Sequence, residues 1–223
     1  MTITAETSIG SVAAEHPLAT RVFARHGIDF CCGGGLPLSD ACAAYGVELD
    51  LVLAEIDCEI VTSASDEVRW DDEPLADLIE HIVHDFHEPL REELPRLAGM
   101  AKKVYAVHRE KDPERLGEIL ETIQGLRTEL EAHMMKEEQV LFPMILAGRG
   151  PMAMGPVSVM EAEHAHAGDM LSRLRQLTDQ YLPPEDACNT WRALWAGLDD
   201  LEHQLHVHIH LENNILFPRA LRG

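Results

Sequence analysis

The most informative stretch of the chain is His133-Met-Met-Lys-Glu137-Glu-Gln-Val-Leu141-Phe142-Pro143, because it occurs twice. The second copy, His208-Ile-His-Leu-Glu212-Asn-Asn-Ile-Leu216-Phe217-Pro218, follows 75 residues later. Both copies read H-x-x-x-E-x-x-[VI]-L-F-P. Residues four apart lie on the same face of a helix, so each histidine and its glutamate can bind one metal ion together. The repeat therefore predicts two equivalent helices, each with a metal-chelating pair.

Each copy of the repeat is preceded by another histidine at a similar interval. His87 lies 46 residues before His133, and His164 lies 44 residues before His208. Turn signals fall near the midpoint of each interval. In an antiparallel helix pair, residues equidistant from the turn lie at the same height. We therefore expect six ligands in one layer of a four-helix core: His87, His133, Glu137, His164, His208 and Glu212.

The composition of this ligand set indicates the metal. Four imidazoles and two carboxylates exceed the four ligands of a structural zinc site, and they suit two adjacent ions bridged by carboxylates. Nitrogen and oxygen donors without thiolate favour iron, with manganese and zinc as alternatives. Two irons sharing six protein ligands retain positions for an oxo or hydroxo bridge and for small exogenous ligands. We expect the remaining histidines to be mostly surface or packing residues, although His84 and His210 stay open as alternative ligands.

Hydrophobic periodicity predicts an all-α chain. Apolar residues recur at three- and four-residue steps from Leu75 to Leu97 and again from Leu116 to Leu130. Pro89 and Pro95 should bend the first of these helices. We predict a small module of about three short helices over residues 1–62, a polar linker over 63–73 and an up-down four-helix bundle over 74–223.

Charge and composition exclude several classes of function. The 223 residues include 39 acidic and 18 basic side chains, which give a net charge of −21. Such a surface repels nucleic acids and anionic lipids. No apolar run approaches the roughly 18 residues of a membrane span, and Met1–Gly10 has no signal-peptide pattern. Five cysteines without framework spacing indicate a reducing compartment. We expect a cytoplasmic monomer or homodimer that binds neither nucleic acid nor membrane.

Three further stretches resemble a known family. They are Ile28-Asp-Phe-Cys31-Cys32-Gly-Gly34, Met154-Gly-Pro-Val-Ser-Val-Met-Glu161 and Leu211-Glu-Asn-Asn-Ile-Leu-Phe-Pro-Arg-Ala220. With the repeat, they resemble the hemerythrin-like superfamily and, within it, the iron–sulfur cluster repair branch (the RIC, or YtfE/ScdA, family). The resemblance implies a non-haem di-iron centre with Glu137 and Glu212 as bridging carboxylates. It also implies donation of iron to iron–sulfur client proteins damaged by nitric oxide or peroxide.

One departure from the oxygen-carrying hemerythrins supports the repair branch. Those carriers bear two histidines one turn apart on the third helix, whereas here Met160 stands one turn before His164. This argues against simple oxygen carriage. Two alternatives stay open at this point: a module that binds or senses oxygen or nitric oxide, and an oxidoreductase that reduces nitric oxide at the same centre. Whether the protein is an enzyme is left open as well.

Four other residues are candidates for function. Cys31 and Cys32 are adjacent and followed by glycines, which suggests redox exchange or iron handling; the alternative is a capping turn that happens to contain two cysteines. Glu163 adjoins His164, and Glu129 lies one turn before His133, so both are predicted to line an iron-exit path. We expect the other cysteines to be packing residues: Cys42, Cys58 and Cys188.

Overall fold

The computed structural model describes residues 3–62 and 69–223, and its secondary structure confirms the all-α prediction. Residues 63–68 of the predicted linker lie outside the described residues. Within the described part, each helix is too short or too polar to cross a membrane. The α-helices are α1 (Ile9–Glu15), α2 (Ala19–Arg25), α3 (Leu38–Tyr45), α4 (Leu49–Thr62), α5 (Leu75–Ile82), α6 (Glu88–His108), α7 (Pro113–Lys136), α8 (Phe142–Leu146), α9 (Met154–Leu177), α10 (Asn189–His210) and α11 (Phe217–Arg222).

The chain divides into two compact units. The first comprises the described residues up to Glu80 together with Ile145–Met154 and His206–Gly223. The second comprises His81–Met144 and Gly155–Leu205. The boundaries predicted at residues 62 and 74 stay a prediction.

The second unit is built on the apolar stripes of α6, α7, α9 and the part of α10 up to Leu205. Their buried residues form one continuous core, in which the rings of Trp191 and Trp195 lie 5.7 Å apart. The helix α7 begins where the sequence predicts, because the Asp112 carboxylate accepts a hydrogen bond from the N–H of Arg115 at 3.1 Å and caps the helix. Helical periodicity thus places one apolar face of each segment in a four-helix core.

The first unit has a separate core formed by α1–α4. Phe23 and Phe30 are fully buried with ring centroids 5.9 Å apart, and the Phe30 ring also contacts His210 at 5.6 Å. The described residues of this module form four helices, where the sequence predicts about three. Left-handed glycines, Gly27 (φ 66°) and Gly46 (φ 68°), follow the ends of α2 and α3 and separate them from the next segments.

Three helical segments widen into π turns: π1 (Val83–His87), π2 (Glu137–Leu141) and π3 (Leu211–Leu216). Two residues after each of them stands a proline, namely Pro89, Pro143 and Pro218. In every case the residue before the proline donates its N–H to a carbonyl five residues earlier.

The prolines explain these wide turns. In an α-helix a proline ring clashes with the carbonyl four residues earlier, and a π turn moves that carbonyl out of line. The bend predicted at Pro89 therefore takes the form of a π turn. Pro95 lies within α6, which continues on both sides of it.

Two of the cysteine predictions are wrong. Cys42 is buried as expected, but Cys58 and Cys188 are exposed. The buried face of α4 carries Val52 and Ile56. Cys58 lies two residues beyond Ile56, about 200° around the helix, and so faces away from the core. Cys188 precedes α10 in a connection, and connections run over the surface.

Asn214, on π3, packs closely against two glycines of the first unit. A Cβ atom on Gly34 would lie 2.3 Å from Asn214 Oδ1, and one on Gly10 would lie 2.5 Å from it. The Asn214 amide donates hydrogen bonds to the carbonyls of Phe30 at 3.3 Å and Cys31 at 3.2 Å. The absence of side chains on the two glycines is what allows Asn214 to hold this loop.

We predict that Gly34→Ala lowers the free energy of unfolding by about 1–3 kcal/mol, because the new methyl group displaces Asn214. Denaturant unfolding of the full chain measures the change. Gly35→Ala is the matched control, since a Cβ atom there meets nothing within 4 Å. Equal losses in the two variants, or no loss in either, would contradict the role of this close approach.

Candidate metal centre

The second unit brings four of the six predicted ligands together. His87 closes π1, His133 lies in the last turn of α7, Glu137 opens π2, and His164 lies on α9. The Glu137 carboxylate directs Oε2 to His87 Nε2 at 3.4 Å and Oε1 to His133 Nε2 at 3.3 Å. His164 Nε2 lies 2.9 Å from His133 Nε2. One carboxylate thus faces two imidazoles, with a separate oxygen for each.

The chemistry of these contacts fits a bound cation. His87 Nδ1 lies 2.7 Å from Glu138, and His133 Nδ1 lies 2.9 Å from Glu163. An ionised carboxylate only accepts hydrogen bonds, so both Nδ1 atoms carry a proton, and each ring in its neutral form presents a lone pair at Nε2. Those lone pairs point at the Glu137 carboxylate. Lone pairs and carboxylate oxygens converge in this way around a metal ion.

The burial of these four residues also indicates a bound cation. The exposed fraction is 0% for His87 and Glu137, 2% for His164 and 3% for His133. An ionised carboxylate without a compensating charge is very costly in such surroundings. A metal ion supplies that charge, and nitrogen and oxygen donors of this kind bind iron, manganese or zinc.

Two carboxylates at the edge of the group orient the imidazoles. Burial opposes ionisation of Glu138, but hydrogen bonds from His87 and Arg91 outweigh it and hold the pKa of this carboxyl below its usual range. Glu163 behaves in the same way: burial opposes ionisation, whereas Lys136 and His133 lower the pKa of this carboxyl. Each carboxylate therefore stays ionised and fixes the tautomer of one histidine.

The second copy of the repeat lies in the first unit and has the same local geometry. His208 Nε2 is 3.2 Å from Glu212 Oε1, and the exposed fractions are 2% and 0%. The corresponding distance between His133 and Glu137 is 3.3 Å. Each copy of the H-x-x-x-E pattern thus brings its own histidine and glutamate together in a buried position.

Wide turns accompany the predicted ligands. His87, Glu137 and Glu212 all lie within π turns, and such turns occur often at functional sites. The Leu-Phe-Pro ending of each repeat is the sequence signal for two of them. The shared ending predicts equivalent helices, whereas the wide turn follows from the clash between the proline ring and the carbonyl four residues earlier.

The remaining candidates lie in different surroundings. Glu163 contacts His133, whereas Glu129 pairs with His166 at 3.3 Å on the surface. His84 is three-quarters exposed beside Asp85. His210 is buried against Phe30 and Asn214, and burial lowers the pKa of His210 to about 4. His84 thus lies at the surface, and His210 lies in the interior of the first unit.

Cys31 and Cys32 lie in the loop that Asn214 holds. Cys31 is buried, and Cys32 is exposed. The hydrogen bond to Cys32, burial and the nearby Asp29 carboxylate raise the pKa of the Cys31 thiol.

Comparisons with known proteins cover almost the whole chain. Residues 78–220 match the model of the hemerythrin HHE cation binding domain, and residues 5–59 match ScdA_N, described as a domain of unknown function. A relative from Musicola paradisiaca, named iron-sulfur cluster repair protein YtfE, is 48% identical over 98% of this chain and 97% of its own length. Proteins of the same name from Yersinia pestis and Pectobacterium atrosepticum are 45% and 46% identical, each over 97% of both chains.

We predict that Glu138→Ala weakens metal binding by about 10- to 100-fold, because His87 loses the acceptor that fixes its orientation. Competition against a chromogenic chelator measures the affinity. Glu131→Ala is the control, since Glu131 forms a surface ion pair with Arg127 on α7. An unchanged affinity in Glu138→Ala would show that this contact does not orient a ligand.

Proposed function

The chain belongs to the hemerythrin-like family of iron–sulfur cluster repair proteins, and we propose that it restores stress-damaged clusters by supplying iron from a buried centre of four histidines and two glutamates. The observation that carries the proposal is the Glu137 carboxylate, which is fully buried and directs one oxygen to each of two imidazoles. Nitric oxide and peroxide are the proposed causes of the damage.

We assign to this centre the full set predicted from the repeat: His87, His133, Glu137, His164, His208 and Glu212. The support is the equal geometry of the two H-x-x-x-E pairs and the burial of all six side chains. In this proposal Glu137 and Glu212 bridge two irons, with an oxo or hydroxo group between them. Iron held by these residues would supply a redox-active Lewis acid that binds nitric oxide or oxygen.

The donor set also suits release of iron as cargo. The six residues provide imidazoles and carboxylates and no thiolate, so protons compete with the metal at each imidazole. Glu138 and Glu163 keep His87 and His133 in the binding tautomer. Loss of either contact frees a ring to turn away. Binding is thus strong while these contacts persist and reversible when they break.

We propose that Glu163 and Glu129 line the path by which iron leaves. The Glu163 side chain is about one-third exposed, and it contacts the buried ring of His133. Glu129 lies one turn before His133 on α7 and is about half exposed. Successive carboxylates between a buried site and the surface offer a cation a series of oxygen ligands.

The cysteine loop is proposed to take part in iron handling or redox exchange. Asn213 and Asn214 donate to the Cys31 carbonyl, and both follow Glu212 directly on π3. A change at the thiols is thereby transmitted to the turn that carries a proposed ligand. We propose iron–sulfur proteins as the clients, on the printed name of the relatives, and the cytoplasm as the site of action, in a monomer or a homodimer.

Protein purified without added metal is expected to contain about two irons per chain and to show absorption typical of an oxo-bridged pair. Glu137→Gln should remove most of this iron, because it takes away the carboxylate that faces two imidazoles. Glu121→Gln, on an exposed position of the same helix, serves as the control. A single zinc per chain would overturn the proposal.

Iron transfer to an apo iron–sulfur protein tests the exit path. We expect Glu129→Leu to slow transfer by about tenfold with the iron content unchanged, and Glu163→Leu to lower both iron content and transfer. Glu161→Leu, exposed on α9, is the control. Unchanged rates in both test variants would contradict the path. Sustained consumption of nitric oxide with an electron donor would instead identify an oxidoreductase.

A further inference from the structure

The Cys31–Cys32 loop is arranged around the carboxylate of Asp29. Asp29 Oδ1 accepts hydrogen bonds from the N–H groups of Cys31 at 3.0 Å and Cys32 at 2.9 Å, and Oδ2 accepts one from Gly33 at 3.1 Å. These bonds hold the carboxylate beside the two thiols. Cys31 Sγ lies 3.0 Å from Asp29 Oδ1.

The separation of the two sulfurs is the decisive distance. Cys31 Sγ and Cys32 Sγ are 3.8 Å apart. A disulfide needs about 2.05 Å, and adjacent cysteines reach it only with strain. Two thiolates on one tetrahedral ion, each about 2.3 Å from the metal, lie about 3.8 Å apart. The loop therefore has the spacing of a metal-bound pair rather than that of a disulfide.

Residues of π3 hold the Cys31–Cys32 loop in this geometry. Asn213 and Asn214 both donate to the Cys31 carbonyl, at 3.4 Å and 3.2 Å. The close approach of Asn214 to Gly34, described above, keeps that contact in place. A site whose ligands are positioned before the ion arrives binds it at a lower entropic cost.

We propose that Asp29, Cys31 and Cys32 form a second cation site, distinct from the histidine–glutamate centre. One ligand atom from each residue lies within 4.8 Å of the other two. Two sulfurs and one oxygen select a thiophilic divalent ion, such as iron(II), zinc or cobalt(II), over magnesium or calcium. Binding releases the two thiol protons to solvent and forms two metal–thiolate bonds and one metal–carboxylate bond.

The exposure of the two thiols suggests what this site does. Cys31 is buried, whereas Cys32 reaches solvent. An ion held here keeps its fourth coordination position on the open side, where a thiolate of a client protein can take it. This role rests on the proposed function: the site would hold iron between the buried centre and the client. The existence of the site does not depend on that function.

Cobalt(II) titration of the full chain tests the proposal, with the thiols reduced and the iron centre loaded. We expect about one cobalt per chain, with intense thiolate-to-cobalt charge-transfer absorption. Cys32→Ser should abolish that absorption. Asp29→Asn should weaken binding at least about tenfold, while its remaining oxygen can still accept from the N–H groups of Cys31 and Cys32. Cys58→Ser, another exposed cysteine, should bind as the unaltered protein does.

The results of this titration decide whether the second cation site exists. Absence of the thiolate absorption, its persistence in Cys32→Ser, or its equal loss in Cys58→Ser would overturn the second site. Iron content and circular dichroism, recorded on every variant, show whether the fold and the buried centre are retained. If the protein cannot be loaded with an iron pair but still binds cobalt at the cysteines, the proposed function is rejected. The second site would then still be supported.

Discussion

The buried carboxylate of Glu137 is the constraint on which the second unit depends. It is fully enclosed, and its two oxygens face Nε2 of His87 and Nε2 of His133. An ionised carboxylate enclosed in this way without a compensating charge would strongly destabilise the folded state. The core of leucines, isoleucines and tryptophans stabilises the four helices, and that stability lets the chain maintain a buried polar cluster that a cation would stabilise.

Three prolines affect both the backbone and the positions of proposed metal ligands. Pro89, Pro143 and Pro218 each widen the preceding turn, and the residues in those turns include His87, Glu137 and Glu212. The strain that a proline introduces is thereby relieved next to residues with a proposed chemical role. Each of these prolines is also the second residue of the α-helix that follows, and the first turn of a helix tolerates proline.

Much of this architecture follows from the sequence, and the reasons for the exceptions are physical. The repeat and the 3.6-residue periodicity predict the helices and the pairing of His133 with Glu137. They do not predict that Asp179, Gln180 and Tyr181 adopt left-handed conformations, since none of them is a glycine. That turn is held by a tertiary contact, the Tyr181 hydroxyl donating to buried Glu202. Glu138 was missed likewise, because it lies 51 residues from its partner His87 and no local pattern links them.

The contacts of Asn213 and Asn214 also set an order of events during synthesis. The cysteine loop leaves the ribosome early, but the carboxamides that hold its backbone are 182–184 residues further along the chain. At about 5–20 residues per second, translation takes roughly 10–40 s to reach them. For that time the loop is held by its own hydrogen bonds and by contacts with the early helices, such as the bond from the Gly10 N–H to the Gly34 carbonyl. The cysteine loop thus acquires its final geometry only after π3 has been made.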